Sequence, residues 1–245
     1  LYRTLLFPRE FYEFDAQGKP VYYSPYNGKI QDGYMYTDNG FWDTFRAVHP
    51  LFTLLYPEVS ERVTQSILNA YDESGFMPEW ASPGHRECMI GNNSISLLTD
   101  AWMKGIRTIC PEKALEAMIH QTEARHPGIS SVGRDGFGYY DRLGYVPYPE
   151  VHEATAKTLE YAYADWCVAR FADSIGRKEI ADTYYRKALN YRNLYYPDYG
   201  FMWAKDANGK WRDAFDATEW GGPFTEGSSW HWTWSVLHDP EGLSR

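Results

Sequence analysis

The sequence predicts an all-α fold of the α/α toroid type, with long loops and minor β-hairpins. Three observations point to this class: helical patterns of apolar residues recur along the 245 residues, they come in sequential pairs, and long loops separate them. In a toroid, loops of this kind build a pocket at one end. A four-helix bundle is the weaker alternative, because its connections are normally short.

Seven helices are predicted in order along the chain. Pro50 must kink or break the first, whereas Pro57 and Pro111 suit the first turns of the second and fourth, where a missing N–H is tolerated. Gly176 is expected to end the fifth, which has the clearest pattern. The expected helices run over about 42–56, from 57, from 93 or 94, from 111, over about 153–175, over about 178–194 and from about 227.

Strand signals are weak and confined to two places. Val21–Tyr23 is one candidate. Phe201–Trp203 is the other, and it is expected to form a hairpin with Trp211 across Asn208-Gly209, a dipeptide typical of tight turns. Long segments rich in Gly, Pro and aromatic residues cover 72–92, 125–152 and 196–226, and long loops on a compact domain usually carry function.

Composition excludes several classes of protein. An apolar fraction of 44% supports a hydrophobic core and excludes wholesale disorder. The formal net charge of −9 argues against a general nucleic-acid binder, which carries a basic surface. No apolar run approaches the roughly 18 residues of a membrane span. Three cysteines without C-x-x-C spacing argue against a disulfide framework or a cysteine zinc site.

Aromatic residues are unusually frequent: 10 Trp, 21 Tyr and 12 Phe make up 18% of the chain. Trp and Tyr combine a large apolar face with a polar tip, so such a surplus can supply stacking surfaces for the C–H faces of sugars. A large aromatic core accounts for the same composition equally well.

Glu160 is the first candidate for chemistry. Desolvation inside a helix face would raise its pKa and keep it protonated near neutral pH, as a glycosidase general acid must be. An ordinary ion pair with Lys157 or Arg170 is an equally good interpretation. The neighbours of Glu160 at helical spacing form a stripe that is unusual for a carboxylate: Ala156, Ala164, Cys167 and Phe171.

Trp42 and Asp43 stand at a predicted helix start. An aspartate there can simply stabilise the helix N-terminus, which is the favoured interpretation from these residues alone. It can also accept hydrogen bonds from two vicinal hydroxyls while Trp42 stacks on a sugar ring.

Two further segments combine polar side chains with glycine. Gly91 permits close backbone approach, and Asn92 can bond a hydroxyl or a hard cation, although a loop with a helix cap at Asn93 or Ser94 explains the same residues. The stretch from Glu219 to Trp234 holds two carboxylates and four tryptophans. In it, Glu226 is a capping residue or a calcium ligand, and His231 is equally well a hydrogen-bonded, partly buried side chain or a site residue. No Gly-rich phosphate loop, G-x-S-x-G elbow or H-E-x-x-H motif is present.

Taken together, these segments resemble glycoside hydrolase family 92, the calcium-dependent exo-acting α-mannosidases. The resemblance covers essentially the whole chain, with its motifs in order. They are Leu5-Leu6-Phe7-Pro8-Arg9, Phe41-Trp42-Asp43-Thr44-Phe45-Arg46, His49-Pro50-Leu51, Cys88-Met89-Ile90-Gly91-Asn92, Thr158-Leu159-Glu160-Tyr161-Ala162-Tyr163, Asn190-Tyr191-Arg192-Asn193, and Phe224-Thr225-Glu226-Gly227 followed by Trp230.

The resemblance implies an (α/α)6 barrel catalytic domain that hydrolyses terminal α-mannosyl residues of glycans with inversion. It implies a calcium ion that helps to distort the mannose and to bind its hydroxyls, and Glu160 as the general acid. It places Glu226 on the calcium side or beside the leaving-group subsite. The residues implied to bind substrate are Trp42, Asp43, Gly91 and Asn92, with Glu219 and Trp220 near Glu226.

The sequence also departs from the family pattern. His231 stands where the family often has Gln, and Ala164-Asp165 stands where a pair of acidic residues often follows the acid. The Gly-Asn-Glu-Pro segment and the catalytic-base aspartates of the family are expected beyond Arg245, and a β-sandwich before Leu1. Residues 1–245 are therefore expected to be part of a single (α/α)6 catalytic domain. Without a base to activate water, this stretch alone is expected to be inactive.

Two other functions stay open. One is a non-catalytic carbohydrate-binding relative that keeps the aromatic residues, and the other is an (α/α)6 glycosidase of different sugar specificity. An acid on an apolar stripe is of little use to a pure binder, so Glu160 favours the enzyme. The partners expected from the resemblance are mannose-containing glycans, including N-glycans, and the remainder of the same polypeptide. It also implies a secreted or periplasmic location.

Overall fold

A computed structural model describes residues 5–244 of the chain. These residues form ten α-helices and nine short strands, and the chain divides into two compact units, Leu1–Gly133 and Arg134–Arg245. The predicted helix-rich fold with minor β-hairpins is confirmed. Its closure as an (α/α)6 toroid and its place within one larger domain stay predictions. None of the described helices is both long and apolar enough to cross a membrane.

The first unit combines three small antiparallel sheets with five helices. The sheets pair β1 with β5, β3 with both β2 and β4, and β6 with β7. The strands are β1 (Arg9–Phe11), β2 (Glu13–Phe14), β3 (Pro20–Tyr23), β4 (Ile30–Asp32), β5 (Met35–Thr37), β6 (Asn39–Gly40) and β7 (Trp80–Ala81). The helices are α1 (Phe41–Thr44), α2 (Val48–Leu55), α3 (Pro57–Ser74), α4 (Asn93–Met103) and α5 (Pro111–Glu123).

Proline and glycine set the helix boundaries of this unit much as the sequence predicts. Pro57 and Pro111 stand in the first turns of α3 and α5. Gly75 ends α3 with a left-handed φ of 81°. The break in the first predicted helix, however, falls before Pro50, between α1 and α2. Pro50 lies in the first turn of α2, where no intrahelical partner for its N–H is needed.

The second unit is built around one long helix. Its elements are α6 (Phe137–Leu143), α7 (Ala154–Ser174), α8 (Lys178–Lys187), a 3-10 helix (Asn190–Leu194), β8 (Tyr195–Tyr196), β9 (Phe201–Met202), α9 (Ser229–Trp232) and α10 (Pro240–Leu243). Helix α7 is buried on most of its circumference, because small residues let neighbouring elements approach closely. Gly176 follows it with a φ of 79°, as expected of a helix stop.

Three details of the second unit differ from the sequence-based expectations. Helix α6 lies inside a stretch expected to be a loop, between Gly136 and Gly144, which both have positive φ. The sixth predicted helix divides into α8 and the 3-10 helix. Strand β9 pairs with β8, and the expected hairpin across Asn208-Gly209 forms just after it, where Lys205 and Trp211 make an antiparallel bridge and the Asp206 N–H donates to the Lys210 carbonyl over 2.9 Å. The Trp203 N–H donates to the Leu194 carbonyl over 2.8 Å, which draws the chain toward β8.

A buried ion pair ties α7 to the start of this unit. The Arg134 Nη2 lies 2.8 Å from Asp165 Oδ1, and both side chains are almost fully excluded from solvent. Tyr140 donates to the other oxygen of Asp165 over 2.8 Å, and burial raises the pKa of this phenol far above its usual value. Arg134 also donates to the Tyr161 carbonyl over 3.2 Å. Asp165, in the pair that departs from the family pattern, therefore has a structural role.

Replacing Asp165 with Asn leaves the Arg134 guanidinium buried without a counter-charge. We expect the free energy of unfolding to fall by about 3–5 kcal/mol, the range for breaking a buried pair. Asp173→Asn is the matched control on the same helix, since its ion pair with Lys178 is largely exposed, and it should change the stability much less. Urea denaturation of both variants measures the difference. Similar losses in the two variants would contradict the structural role of Asp165.

Candidate functional site

The short β6–β7 ladder positions the segment that leads into Trp42 and Asp43. Gly40 pairs with Trp80, so the start of α1 lies against the end of the long loop that precedes β7. The Phe41 N–H donates to the Glu79 carbonyl over 3.1 Å. The backbone just before Trp42 and Asp43 is thus hydrogen-bonded to residues 79–80.

Gly40 is required by the approach of Trp80. A Cβ at position 40 would lie 2.5 Å from Trp80 Cε3 and 3.1 Å from Asp43 Oδ2. The φ of Gly40 is −96°, which any residue adopts, so the requirement is for space alone. The Trp80 indole, the Gly40 backbone and the Asp43 carboxylate therefore form one continuous surface.

Asp43 is exposed, and among the described residues its carboxylate has no hydrogen-bond or ion-pair partner. The carboxylate is therefore accessible to a ligand, and hydroxyl binding by Asp43 stays a prediction. Trp42 is half-buried. The Arg46 guanidinium lies 4.4 Å from the centre of its ring, a cation–π contact that holds the indole in place.

The loop with Gly91 and Asn92 is buried and strongly turned. Gly91 has a φ of 83° and Met89 a φ of 71°, so two left-handed residues shape it. Asn92 is 1% exposed, and its side-chain N–H donates to the Gly133 carbonyl over 3.1 Å. The predicted helix cap at Asn93 or Ser94 is wrong: α4 begins at Asn93, and the capping side chain comes from elsewhere.

Glu79 supplies that cap. Its Oε2 accepts from the N–H groups of Asn93 over 2.7 Å and of Ser94 over 3.2 Å. Its Oε1 accepts from Ser94 Oγ over 2.9 Å and from Gln121 Nε2 over 3.1 Å. Burial raises the pKa of Glu79 to about 8, while the four donors act in the opposite direction.

Sequence reasoning missed both Glu79 and Trp80. The signal available was indirect: they lie in the long loop expected to carry function, next to Pro78. No local rule connects a carboxylate to a helix that begins fourteen residues later.

In the second unit, Glu160 lies on the apolar face that the spacing predicted. It is 5% exposed, and its neighbours Ala156, Ala164, Cys167 and Phe171 are each no more than 2% exposed. The two cations considered as its partners have other contacts. Lys157 Nζ lies 3.0 Å from Asp135 Oδ2, and the Arg170 guanidinium lies 5.7 Å from the centre of the Trp166 ring.

The segment around Gly222 caps the helix that carries Glu160. The N–H groups of Thr155 and Ala156 donate to the Pro223 carbonyl over 3.0 and 3.2 Å, and the N–H of Glu153 donates to the Gly222 carbonyl over 3.3 Å. These groups have no acceptor within the helix itself. At a rise of about 1.5 Å per residue, Glu160 lies roughly 9 Å along the axis from this capped end.

The candidate substrate residues of this segment have different environments. Both carboxylate oxygens of Glu219 lie 2.8 Å from guanidinium nitrogens of Arg212, so a sugar hydroxyl would have to share them. Trp220 is 66% exposed, and its ring is nearly perpendicular to that of His231, with 5.5 Å between the ring centres. Trp220 thus presents a large aromatic surface to solvent.

His231 closes the first turn of α9. Its Nδ1 accepts from the Ser228 N–H over 3.1 Å, and the Ser228 side chain accepts from the His231 N–H, so that the two residues form a capping box. Glu or Gln usually fills this position of a capping box. The histidine that replaces the family's Gln therefore keeps a local structural role.

Glu226 is the residue that the resemblance places on the calcium side, and Thr225 directly precedes it. Glu226 is exposed at a left-handed φ of 44°, and Thr225 Oγ1 is buried without a hydrogen-bond partner. These are oxygen donors of the kind that calcium binds, but calcium takes six to eight of them. Within residues 5–244, no group of three or more His, Cys, Asp or Glu side chains could hold a metal. The described residues thus fit a calcium shell only in part.

Comparison with known proteins identifies a consistent set of relatives. The family model for the glycosyl hydrolase family 92 catalytic domain matches residues 1–245. The structure of a family GH92 inverting mannosidase from Bacteroides thetaiotaomicron shares 84% identity and a TM-score of 0.98, over 99% of this chain and 33% of that one. A GH92 α-mannosidase from the same organism, in complex with mannoimidazole, shares 31% identity and a TM-score of 0.89, over 99% and 32%.

A more distant relative carries a name that refers to secretion. An uncharacterized secreted glycosidase of Arthroderma benhamiae is 25% identical over 167 residues, which are 59% of this chain and 21% of that protein. The chain spans about a third of the length of the solved structures it matches.

Gly40→Ala tests the close contact beside Asp43. The added methyl must displace the Trp80 ring, and we expect a loss of about 1–3 kcal/mol in the free energy of unfolding, as for other overpacked sites. The control is Gly138→Ala in α6, where an added Cβ meets no atom within 4 Å. A Gly40→Ala variant as stable as this control would show that Trp80 does not need the glycine.

Proposed function

Since the chain belongs to glycoside hydrolase family 92, we propose that the protein carrying it is an inverting, calcium-dependent exo-α-mannosidase. The substrate in this proposal is a terminal α-mannosyl residue of a glycan, such as an N-glycan. A relative named as an inverting mannosidase, at 84% identity, supports the reaction. Because the chain spans about a third of such relatives, the proposal concerns the full-length protein.

The single observation that carries the proposal is the burial of Glu160 on the small-residue face of α7. A glycosidase general acid must hold a proton until it passes it to the leaving oxygen. Removal from water favours the neutral carboxyl over the carboxylate. In this role Glu160 protonates the glycosidic oxygen while the bond from that oxygen to the anomeric carbon breaks.

We assign the binding of the terminal mannose to residues of the first unit. Asp43 accepts hydrogen bonds from vicinal hydroxyls with its unengaged carboxylate, and Trp42 packs on the ring. The turned backbone at Gly91 admits a hydroxyl, and Asn92 holds that loop in shape. Trp220 and Glu219 contact the leaving-group sugar.

Glu226 is the protein ligand that we assign to calcium, with Thr225 as its neighbour. When bound, calcium supplies a positive charge that fixes sugar hydroxyl oxygens. Inversion also needs a base that activates water on the opposite face of the sugar, and we assign none of the described residues to that role.

We also propose a secreted or periplasmic location. It is supported by the relative named as a secreted glycosidase. A glycan-degrading enzyme in such a location meets its substrate without transport across a membrane.

Glu160→Gln in the full-length protein tests the general acid. Glutamine keeps the size but has no proton to give, so hydrolysis of mannosides with poor leaving groups should fall by about 10²–10⁴-fold. Aryl mannosides with good leaving groups need less protonation and should lose much less. Glu179→Gln, the same change on the exposed surface of α8, is the control. Equal losses on both substrate types would remove Glu160 from the acid role.

Chelation tests the metal. Exhaustive EDTA treatment of the full-length protein should abolish α-mannosidase activity, and added Ca²⁺ should restore it. Mg²⁺ should restore it poorly, since it demands a stricter octahedral geometry than an irregular oxygen site offers. Full activity after chelation would exclude calcium from the proposed function.

A further inference from the structure

We propose that Glu79 is a positioning residue for the sugar site: it fastens the loop that ends at Asn92 to the segment that begins at Phe41. The inference rests on the proposed function, in which both segments bind the terminal mannose. Glu79 itself is 1% exposed, so the role that we assign to it is to position other residues and not to bind the sugar.

The fastening uses both the backbone and the side chain of Glu79. Its carbonyl accepts from the Phe41 N–H over 3.1 Å, one residue before Trp42 and two before Asp43. Its carboxylate accepts from the N–H groups of Asn93 and Ser94, which follow Asn92 directly. A single buried residue therefore bonds to both candidate mannose-binding segments.

No local residue does the same work at the start of α4. The N-cap residue is Asn92, but its side chain makes no capping bond and donates to the Gly133 carbonyl. The first N–H groups of a helix have no acceptor inside it and need one when they are buried. Asn93 and Ser94 are at most 2% exposed, so without Glu79 their N–H groups would lose their acceptor away from water.

The position of the segment that begins at Phe41 also depends on Glu79. Helix α1 has only four residues, too few to hold its own position. Its N-cap residue is Gly40, which has no side chain to cap the helix. What places Asp43 is the Phe41–Glu79 hydrogen bond together with the Gly40–Trp80 pairing. Since small displacements of binding groups have large effects on enzymes, loosening this junction should weaken sugar binding.

Comparison of Glu79→Ala with Glu79→Gln distinguishes loss of the connection between the two segments from a general loss of stability. Alanine removes all four side-chain bonds. In the glutamine variant the amide oxygen can keep both α4 N–H groups and the amide nitrogen can donate to Ser94 Oγ, so that only the Gln121 bond is lost. Glutamine should therefore rescue most of the effect.

Ser66→Ala is the matched control within the same unit. The buried Ser66 Oγ accepts from the Tyr36 N–H over 3.0 Å, so its removal also leaves a buried backbone N–H without its acceptor. Ser66 lines a small cavity together with Phe41, but its side chain makes no hydrogen bond with a residue of α1 or α4. A loss of stability alone should therefore affect this variant as well.

The first measurement is steady-state kinetics of the full-length protein on 4-nitrophenyl α-mannoside. For Glu79→Ala we expect KM to rise by about tenfold or more with kcat changed less than about threefold, the pattern of lost uniform binding. Glu79→Gln and Ser66→Ala should stay within about twofold of the parent KM. An unchanged KM in Glu79→Ala, or the same rise in Ser66→Ala, overturns the proposal.

The second measurement is amide hydrogen exchange, which does not depend on activity. In Glu79→Ala, protection of the amides in 41–46 and 91–95 should fall together, whereas Ser66→Ala should leave both protected. If protection falls in only one of the two segments, the proposal that Glu79 joins them is wrong. If the parent protein cleaves no α-mannoside, the proposed function fails, and exchange still decides whether Glu79 joins the two segments.

Discussion

The structure depends on hydrogen-bond acceptors for the N–H groups at buried helix N-termini. These acceptors lie far from the helices in the sequence. Helix α4 has its first N–H groups satisfied by Glu79, and helix α7 by the carbonyls of Gly222 and Pro223. Because such groups cannot be left unpaired away from water, each acceptor fixes the loop to which it belongs. In both units, the loops held in this way carry the candidate site residues.

This arrangement separates the two tasks of the proposed enzyme. In the first unit, the Asp43 carboxylate is exposed and makes no hydrogen bond or ion pair with any described residue. In the second, Glu160 is buried along a helix whose alanines admit close packing. The proposed function assigns hydroxyl binding to the exposed carboxylate and proton donation to the buried carboxyl group, and glycosidases place carboxyl groups of different function in different environments.

The positions that depart from the family pattern have structural explanations. Asp165 forms a buried pair with Arg134, to which Tyr140 also bonds, so one acidic residue at this place has a packing function. His231 closes a capping box and thus does what glutamine can do at the same helix position. These departures therefore change the side chains near the site without removing the local structure that holds it.

The sequence by itself determined the helix-rich fold, the helix boundaries at Pro57, Pro111 and Gly176, and the family, since each follows from short-range rules or from ordered motifs. Only the tertiary structure decided the capping of α4 by Glu79, the pairing of β9 with β8 and the engagement of Glu219 by Arg212. The physical reason is that hydrogen-bond partners are chosen by proximity in space. A helix start, a strand edge or a carboxylate shows in the sequence that it needs a partner, but not which residue the fold brings to it.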